Sequence, residues 1–577
     1  MEFDYIIVGG GSAGSVLANR LSARSNNHVL LLEAGPDTPH GKVPAEISDS
    51  YPGVAYFDPR FHWTALKVRV EAVSHNRPDV RPVPRKYEQA RVMGGGSSIN
   101  GQLANRGAPT DYNEWEALGA EGWGWRNVLP YFRKLERDMD FENDWHGNQG
   151  RIPVRRIFPE LWPGFARASA EAFAELGFEY ILDQNGEWRD GYFPLTISNA
   201  FDRRVSAAIG YLDPGTRLRE NLTVQAETQV RELLFDGRRA IGVVAERHGK
   251  TETFHGHEII VSCGAIHSPA MLLRAGIGPA GHLRDMGIEV RADVPGVGQG
   301  LMDHPSVAVS AFVRTPYRLA EDMRRHMHVG LRYSSGIDDI PAGDMMLVSV
   351  SKSAWHDIGK RLGSLLFFVN KSYSRGQVRL ASPAWTDEPD VEFNLLSDQR
   401  DLRRLMDGVR LAARLFRHST MLEAAADAFA SSYTERVRSI AAVTPRNRML
   451  TAALGRLLDG PDALRRFIIG KVITEGATLQ AMLDDEDLLE EFVRKAAIGV
   501  WHASCSCRMG RVDDPMAVTD NQGRVRGVEG LRVVDASIFP VVPCANTNIP
   551  TIMTAEKISD AILEHAGASR ARLADAR

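Results

Sequence analysis

Hydrophobic positions along the chain follow two periods, and the elements are marked by where one period gives way to the other. Phe3 to Val8 ends in Ile6-Ile7-Val8, an apolar run suited to a strand buried in a parallel sheet. Leu17 and Leu21 follow one helical turn apart, and His28 to Leu32 predicts a second buried strand. The same strand signal returns at Leu222 to Ala226, Val230 to Leu234, Glu258 to Ser262 and Leu531 to Ser537. Between these stretches the period changes. Phe165 to Leu176 is amphipathic at helical spacing, Leu366 to Val369 and Gln377 to Leu380 predict strands, and long helical patterns occupy much of the rest up to residue 498. The expectation is an α/β unit assembled from separated segments, with a second unit of mixed strands and helices inserted between them.

With 577 residues the chain is long enough for two cores, since single cores stop growing near about 250 to 300 residues. An apolar fraction of 44% and a charged fraction of 25% are those of ordinary globular proteins. A net charge of -4 supplies no overall field for nucleic acid, so no such partner is expected. The four cysteines, Cys263, Cys505, Cys507 and Cys544, are too few for a secreted disulfide framework and lack zinc spacing. A cytoplasmic setting without a metal is expected. No apolar run reaches 18 residues, and the first glycine motif leaves no room for a leader, so a membrane span is not expected. The Arg-rich stretch Arg436 to Leu483 could place Leu454, Leu457, Leu458, Leu464, Phe467 and Ile468 on one face. A lid or contact helix is expected there rather than membrane association, and nothing in the sequence signals an oligomeric state.

Three features carry chemistry. The first strand enters Gly9-Gly10-Gly11-Ser12-Ala13-Gly14 before a helix, the G-x-G-x-x-G order of a dinucleotide cradle. Gly9 permits the tight turn, Gly11 lets a pyrophosphate approach the backbone, Gly14 lets helix and strand pack closely, and the helix N-terminus faces the phosphate. Glu33, at the end of the second strand, can accept from a ribose hydroxyl and disfavours a 2′-phosphate. The second feature is a glycine cluster without strand-helix flanks, Met93-Gly94-Gly95-Gly96-Ser97-Ser98-Ile99-Asn100, suited to close approach of a flat ring. The third is Trp501-His502 with Asn546, where Asn546 and Thr547 open a final helix whose backbone amides could hold the polar edge of a bound ring. His304 precedes Pro305 at a domain crossing, and a structural role is expected for it.

Residues 87 to 107, continuing through Asp111-Tyr112-Asn113-Glu114-Trp115 and Trp123-Gly124-Trp125, resemble the first signature of the glucose-methanol-choline oxidoreductase family. Gly264-Ala265-Ile266-His267-Ser268-Pro269 with Ala275-Gly276-Ile277-Gly278-Pro279 resembles the second, with Ala275 where Ser is usual. Gly300 stands where Asn is common. The resemblance spans nearly the whole chain. It implies a Rossmann-like FAD-binding domain (residues 1–155, 221–308 and 524–567) interleaved with a substrate domain (156–220 and 309–523) and a polar tail (568–577).

It also implies FAD contacts at Gly9, Gly11, Ser12, Ala13, Gly14, Glu33, Ala34, Arg91, Gly95, Ser98, Asn100, Val230, Asp535, Ala536, Asn546 and Thr547. Val230 would contact the adenine end through its backbone. Ile99 takes the place where some relatives carry a flavin-linked His, so dissociable FAD is expected. The implied activity is oxidation of small primary alcohols of furanic or benzylic type to aldehydes, and through aldehyde hydrates to acids, with O2 or a quinone as acceptor. His502 would be the base, Asn546 would hold the substrate oxygen, and Val369 and Trp501 would line the pocket. A hydroxynitrile lyase and a redox-inert FAD protein are the alternatives.

Overall fold

The computed structural model describes residues 2–72, 81–474 and 477–575, the last ten of them as backbone alone. The first strand, Glu2–Val8, lies inside a sheet ordered Leu222–Gln225, Val29–Leu32, Glu2–Val8, Lys250–Val261, Arg239–Arg247, Thr228–Asp236. Its inner pairs are parallel, with Tyr5 opposite Val29 and Ile6 opposite Ile259. Its last two strands return antiparallel. Leu531–Val533 adds in parallel to the C-terminal half of Lys250–Val261, so the far end of the chain completes the sheet begun by its first residues. The apolar runs are the reason: Ile6, Ile7, Leu30, Leu31, Ile259 and Ile260 are fully buried. Each such side chain contributes about 1.5 to 3 kcal/mol relative to exposure.

A second sheet is antiparallel throughout and ordered Ala425–Ser431, Pro305–Val313, Leu362–Val369, Met345–Val350, Met327–Tyr333, Gly191–Pro194. The helix Gln399–Phe416 covers it, burying Leu402, Leu405, Val409, Ala412 and Phe416 at helical spacing. A third sheet joins Lys67–Glu71 to Asp390–Leu395 in parallel. Gly300 has φ +74°, a left-handed conformation that Gly and Asn adopt most easily, which accounts for the exchange at that position.

The helix Asn548–Asp575 packs on Ser12–Ser22, where Arg20 pairs with Glu556 at 3.1 Å. It runs on through the stretch expected to be a tail. In the Arg-rich region the expected single apolar face is divided. Leu458 and Ile468 are buried beside Phe312 and Phe429, whereas Leu457 and Phe467 point outward. The cause is the turn at Gly460-Pro461, which separates the helices Pro445–Leu458 and Asp462–Ile468 and resets the helical phase. Residues 475–476 of this region lie outside the described residues. Among the described residues no helix is long and apolar enough to cross a membrane.

Candidate active site

A cavity of about 360 Å³ runs between the sheets, and its lining joins the three chemical features of the sequence. At one end Gly9, Gly11, Ser12 and Ala13 form its wall. Gly9 turns the chain with φ +103°, a conformation costly for other residues. A Cβ on Gly14 would lie 1.9 Å from the Gly9 carbonyl oxygen, so Gly14 is what lets the helix seat on the strand. A Cβ on Gly11 would approach no protein atom closer than 3.9 Å and would project into the cavity instead. No side chain caps the first turn of Ser12–Ser22. Its amides are therefore available to an anion, and the residues fit the pyrophosphate of a dinucleotide.

Gly95, from the second glycine cluster, has φ +53°, and a Cβ there would stand 2.8 Å from Gly11 Cα. The two loops thus pack back to back. Glu33 reaches the same wall, but Gly10 N–H donates to its Oε2 at 2.7 Å and Gly35 N–H to its Oε1 at 2.8 Å. The carboxylate first fastens the turn, and a ribose hydroxyl would use its remaining lone pairs. Ala34 and Asn100 line the cavity, as does Val230 beside a register shift in its strand. Asp535 lines it too, although its oxygens accept from Gly264 N–H, Ser268 Oγ–H and Ser537 N–H. Ala536, Thr547 and the start of the last helix close this side, where Ser12 Oγ donates to Asn548 Oδ1 at 2.7 Å.

At the opposite end stands His502. Its Nε2 is 2.9 Å from Asn546 Nδ2, and both residues line the cavity. Its backbone N–H donates to Asp303 Oδ1 at 3.0 Å. Burial, with His304 beside it, pushes the imidazole well below its usual range, so the ring is neutral. Asp303 also accepts from the His304 amide at 2.7 Å, and burial raises its carboxyl to about 7. A Cβ on Gly499 would come 2.2 Å from Asp303 Oδ2, so a glycine is needed where that carboxylate packs. Trp501 is held at φ +59°, a left-handed conformation that costs a non-glycine residue about 1 to 3 kcal/mol and recurs at functional sites. Trp501 meets Tyr56 edge-on at 5.1 Å between ring centroids, and both line the cavity beside His502, while Tyr433 stands 6.0 Å from Trp501 and off the lining. Glu88 lines the cavity beside them. Tyr56 Oη–H donates to it at 2.9 Å, and Arg438 stands 3.5 Å away.

Four expected residues lie off the cavity wall. Gly14 acts through packing. Ser98 is fully buried and donates to the Met93 carbonyl at 2.8 Å, shaping the glycine loop from behind. Arg91 stacks on Trp63 at 5.0 Å instead of reaching into the cavity. Val369 pairs with Met345 inside the second sheet and is fully buried in its core; the pocket edge comes from Val500, Trp501 and Tyr56. Side chains alternate across a strand, and Val369 points to the core face. His304, expected to be structural, instead touches His502, Nδ1 to Nδ1, at 2.7 Å.

The loop residues Trp385 to Glu388 also line the cavity without any signal in the sequence. Glu388 Oε2 lies 2.9 Å from His267 Nε2. The donor groups Asp303, His304 and His502 converge within 4.8 Å, with contacts among them that are the hydrogen bonds just described. A second converging set, Glu136, Asp138 and His146, is neutralised by Arg106 at 2.8 Å and Arg156 at 2.7 Å.

Two family models described as GMC oxidoreductase match the chain over residues 3–306 and 372–555. The 5-(hydroxymethyl)furfural oxidase of Methylovorus sp. is 44% identical over 98% of this chain and 99% of its own length. An oxygen-dependent choline dehydrogenase of Rhizobium etli is 33% identical over 98% of this chain and 96% of its own. Among solved structures, the pyridoxine 4-oxidase from Mesorbium loti superposes with a TM-score of 0.80 at 25% identity, covering 98% of this chain and all of the other.

Proposed function

Because this chain belongs to the GMC oxidoreductase family, we propose that it uses FAD to oxidise small furanic or benzylic primary alcohols such as 5-(hydroxymethyl)furfural, with O2 as electron acceptor. The observation that carries the reading is the pairing of His502 Nε2 with Asn546 Nδ2, 2.9 Å apart, in the wall of the cavity that the glycine cradle closes at its other end. On this reading residues 1–155, 221–308 and 524–567 serve the cofactor, and 156–220 with 309–523 serve the substrate.

When bound, the flavin supplies a two-electron acceptor for the hydride that leaves the alcohol carbon. Gly11, Ser12 and Ala13 would hold its pyrophosphate, with Glu33 and Val230 toward the nucleoside end and Gly95, Asn100, Ala536 and Thr547 toward the ring. His502 accepts the hydroxyl proton at Nε2, a role open to a buried neutral imidazole. Asn546 donates to the same oxygen and keeps it in line. Trp501, Val500 and Tyr56 exclude water around the alcohol carbon. Ile99 is aliphatic and packs with Val92 and Phe61, offering no nitrogen for a covalent flavin link. Choline is disfavoured by the state of Glu88. That carboxylate already faces Arg438 and the Tyr56 hydroxyl, so it is not a free anion for a quaternary ammonium.

An anaerobic panel of primary alcohols, read as bleaching of the flavin absorbance, tests the reading, and oxygen uptake on admitting air tests the acceptor. Furanic and benzylic alcohols should bleach fastest. Choline reducing the flavin faster than either would overturn the substrate assignment. Bleaching without oxygen uptake would move the enzyme to quinone-coupled chemistry.

A further inference from the structure

Behind His502, on the side away from the cavity, His304 is fully buried and belongs to no contact with cofactor or substrate proposed above. Its two ring nitrogens have different neighbours. Nε2 lies 3.1 Å from the Pro543 carbonyl oxygen, and Nδ1 lies 2.7 Å from His502 Nδ1. A carbonyl oxygen only accepts, so the first contact is a hydrogen bond only if His304 carries its proton on Nε2. A neutral imidazole has one N–H, which leaves His304 Nδ1 as a bare acceptor. The proton shared at 2.7 Å then belongs to His502 Nδ1. His502 is left with a bare Nε2, the atom that faces the cavity and accepts from the Asn546 amide. Three contacts therefore agree on one arrangement of protons.

We propose that His304 is a positioning residue that holds His502 in the tautomer whose Nε2 is unprotonated and ready to take a proton from the alcohol. The assignment rests on the reading of His502 as the base. Burial holds both rings neutral, with His304 pushed down to about 3 by desolvation first, against the Pro543 and Asn370 carbonyls that favour the charged ring and with the Lys371 charge adding to the depression. Which nitrogen of an imidazole carries its proton is decided by the hydrogen bond made at the other, and His304 Nδ1 is the acceptor that decides it here. Asp303 fixes the same pair through the backbone, taking the amides of His304 and His502 on its carboxylate. Side chain and main chain thus fix the ring's tautomer and its place.

The test compares FAD-loaded wild type, His304→Leu and His304→Asn. Leucine fills the space without an acceptor, whereas the asparagine amide oxygen can replace Nδ1 as acceptor. Nitrogen NMR of histidine-labelled enzyme reads the tautomer, with the His502 signals assigned by their loss in His502→Ala. The wild type should show His502 protonated at Nδ1 and bare at Nε2. His304→Leu should lose that state and slow anaerobic flavin reduction on the order of 10-fold or more, with KM within about threefold, because His304 does not touch substrate. His304→Asn should recover most of both. A wild-type His502 protonated at Nε2 overturns the proposal, and that measurement decides the matter even if His304→Leu fails to fold. A folded His304→Leu that reduces its flavin within about threefold of wild type also overturns it. If His502→Ala keeps its rate, the base reading falls, while the tautomer is still read directly in the wild type.

Discussion

Replacing Gly11 by valine and Gly14 by alanine separates holding a cofactor from building the fold, because the two glycines sit one helical turn apart with opposite surroundings. At Gly11 the backbone is extended (φ −72°, ψ −158°), which valine adopts freely, and a new Cβ meets nothing nearer than 3.9 Å. Stability without FAD should change by no more than about 1 kcal/mol, in either direction. The branched methyls would instead fill the space from which the first-turn amides face the pyrophosphate. Losing two charge-assisted hydrogen bonds, about 1.5 to 3 kcal/mol each, and a helix-terminus contribution of about 0.3 to 1, removes about 3 to 7 kcal/mol of binding. That is on the order of 10²- to 10⁵-fold in Kd. At Gly14 the new Cβ would stand 1.9 Å from a backbone oxygen, so helix and strand must separate, an overpacking cost of about 1 to 3 kcal/mol. The assay is flavin absorbance per chain on purification, then FAD titration and thermal unfolding of each apoprotein. Gly11→Val should lose FAD at nearly unchanged apoprotein stability, and Gly14→Ala should lose both. A Gly11→Val protein that purifies with one FAD per chain refutes the cradle.

His502→Ala should keep fold and FAD but slow anaerobic flavin reduction on the order of 10²- to 10⁴-fold, the worth of a positioned base. Asn546→Ala should cost less, about 0.5 to 1.5 kcal/mol of barrier for one hydrogen bond; reduction by His502→Ala within about threefold of wild type would remove His502 from the mechanism. Acid precipitation should release the yellow colour into the supernatant, and colour retained in the washed pellet would contradict the assignment made from Ile99. Because the folded His502 is depressed well below 6.5, its base form persists as pH falls through 6.5, and flavin reduction should stay level from pH 9 to below pH 6.5. Stability should behave differently. The depressed His304 contributes stability above pH 6.5 that is lost as pH falls toward about 3, with a slope of about 1.36 kcal/mol per unit, so Tm should drop over a range where the rate does not.

The cradle was legible because its logic is local: Gly9, Gly11, Gly14 and Glu33 lie within a single strand-helix-strand unit whose spacing dictates geometry. His502 and Asn546 could be paired through the family resemblance. Their partner His304 could not be read as one, because its contact crosses 198 residues of sequence and depends on how two sheets meet. The wall of Tyr56 and Glu88 was hidden for the same reason, as was the loop at Trp385 to Glu388. Val369 went astray because an apolar residue at a strand end fits a pocket or a core equally well, and only the alternation of the folded strand decides between them. The divided face of the Arg-rich region reflects a turn at Gly460-Pro461 that shifts the helical phase, which a single periodicity across the segment overlooks.

The interleaved sheet has a consequence for the newborn chain. Glu2–Val8 leaves the ribosome well before its partner Lys250–Val261, which follows some 250 residues later, a wait of roughly 12 to 50 s at translation rates of about 5 to 20 residues per second. Leu531–Val533 and the helix carrying Asn548 arrive some 270 residues later still. The apolar run can pair early with Val29–Leu32 on one edge, but its other edge must wait for Lys250–Val261, and the flavin has no complete berth until the segment from Asn546 to Asn548 has been made. A chain truncated before residue 531 should be degraded or held by chaperones rather than accumulate as a colourless enzyme.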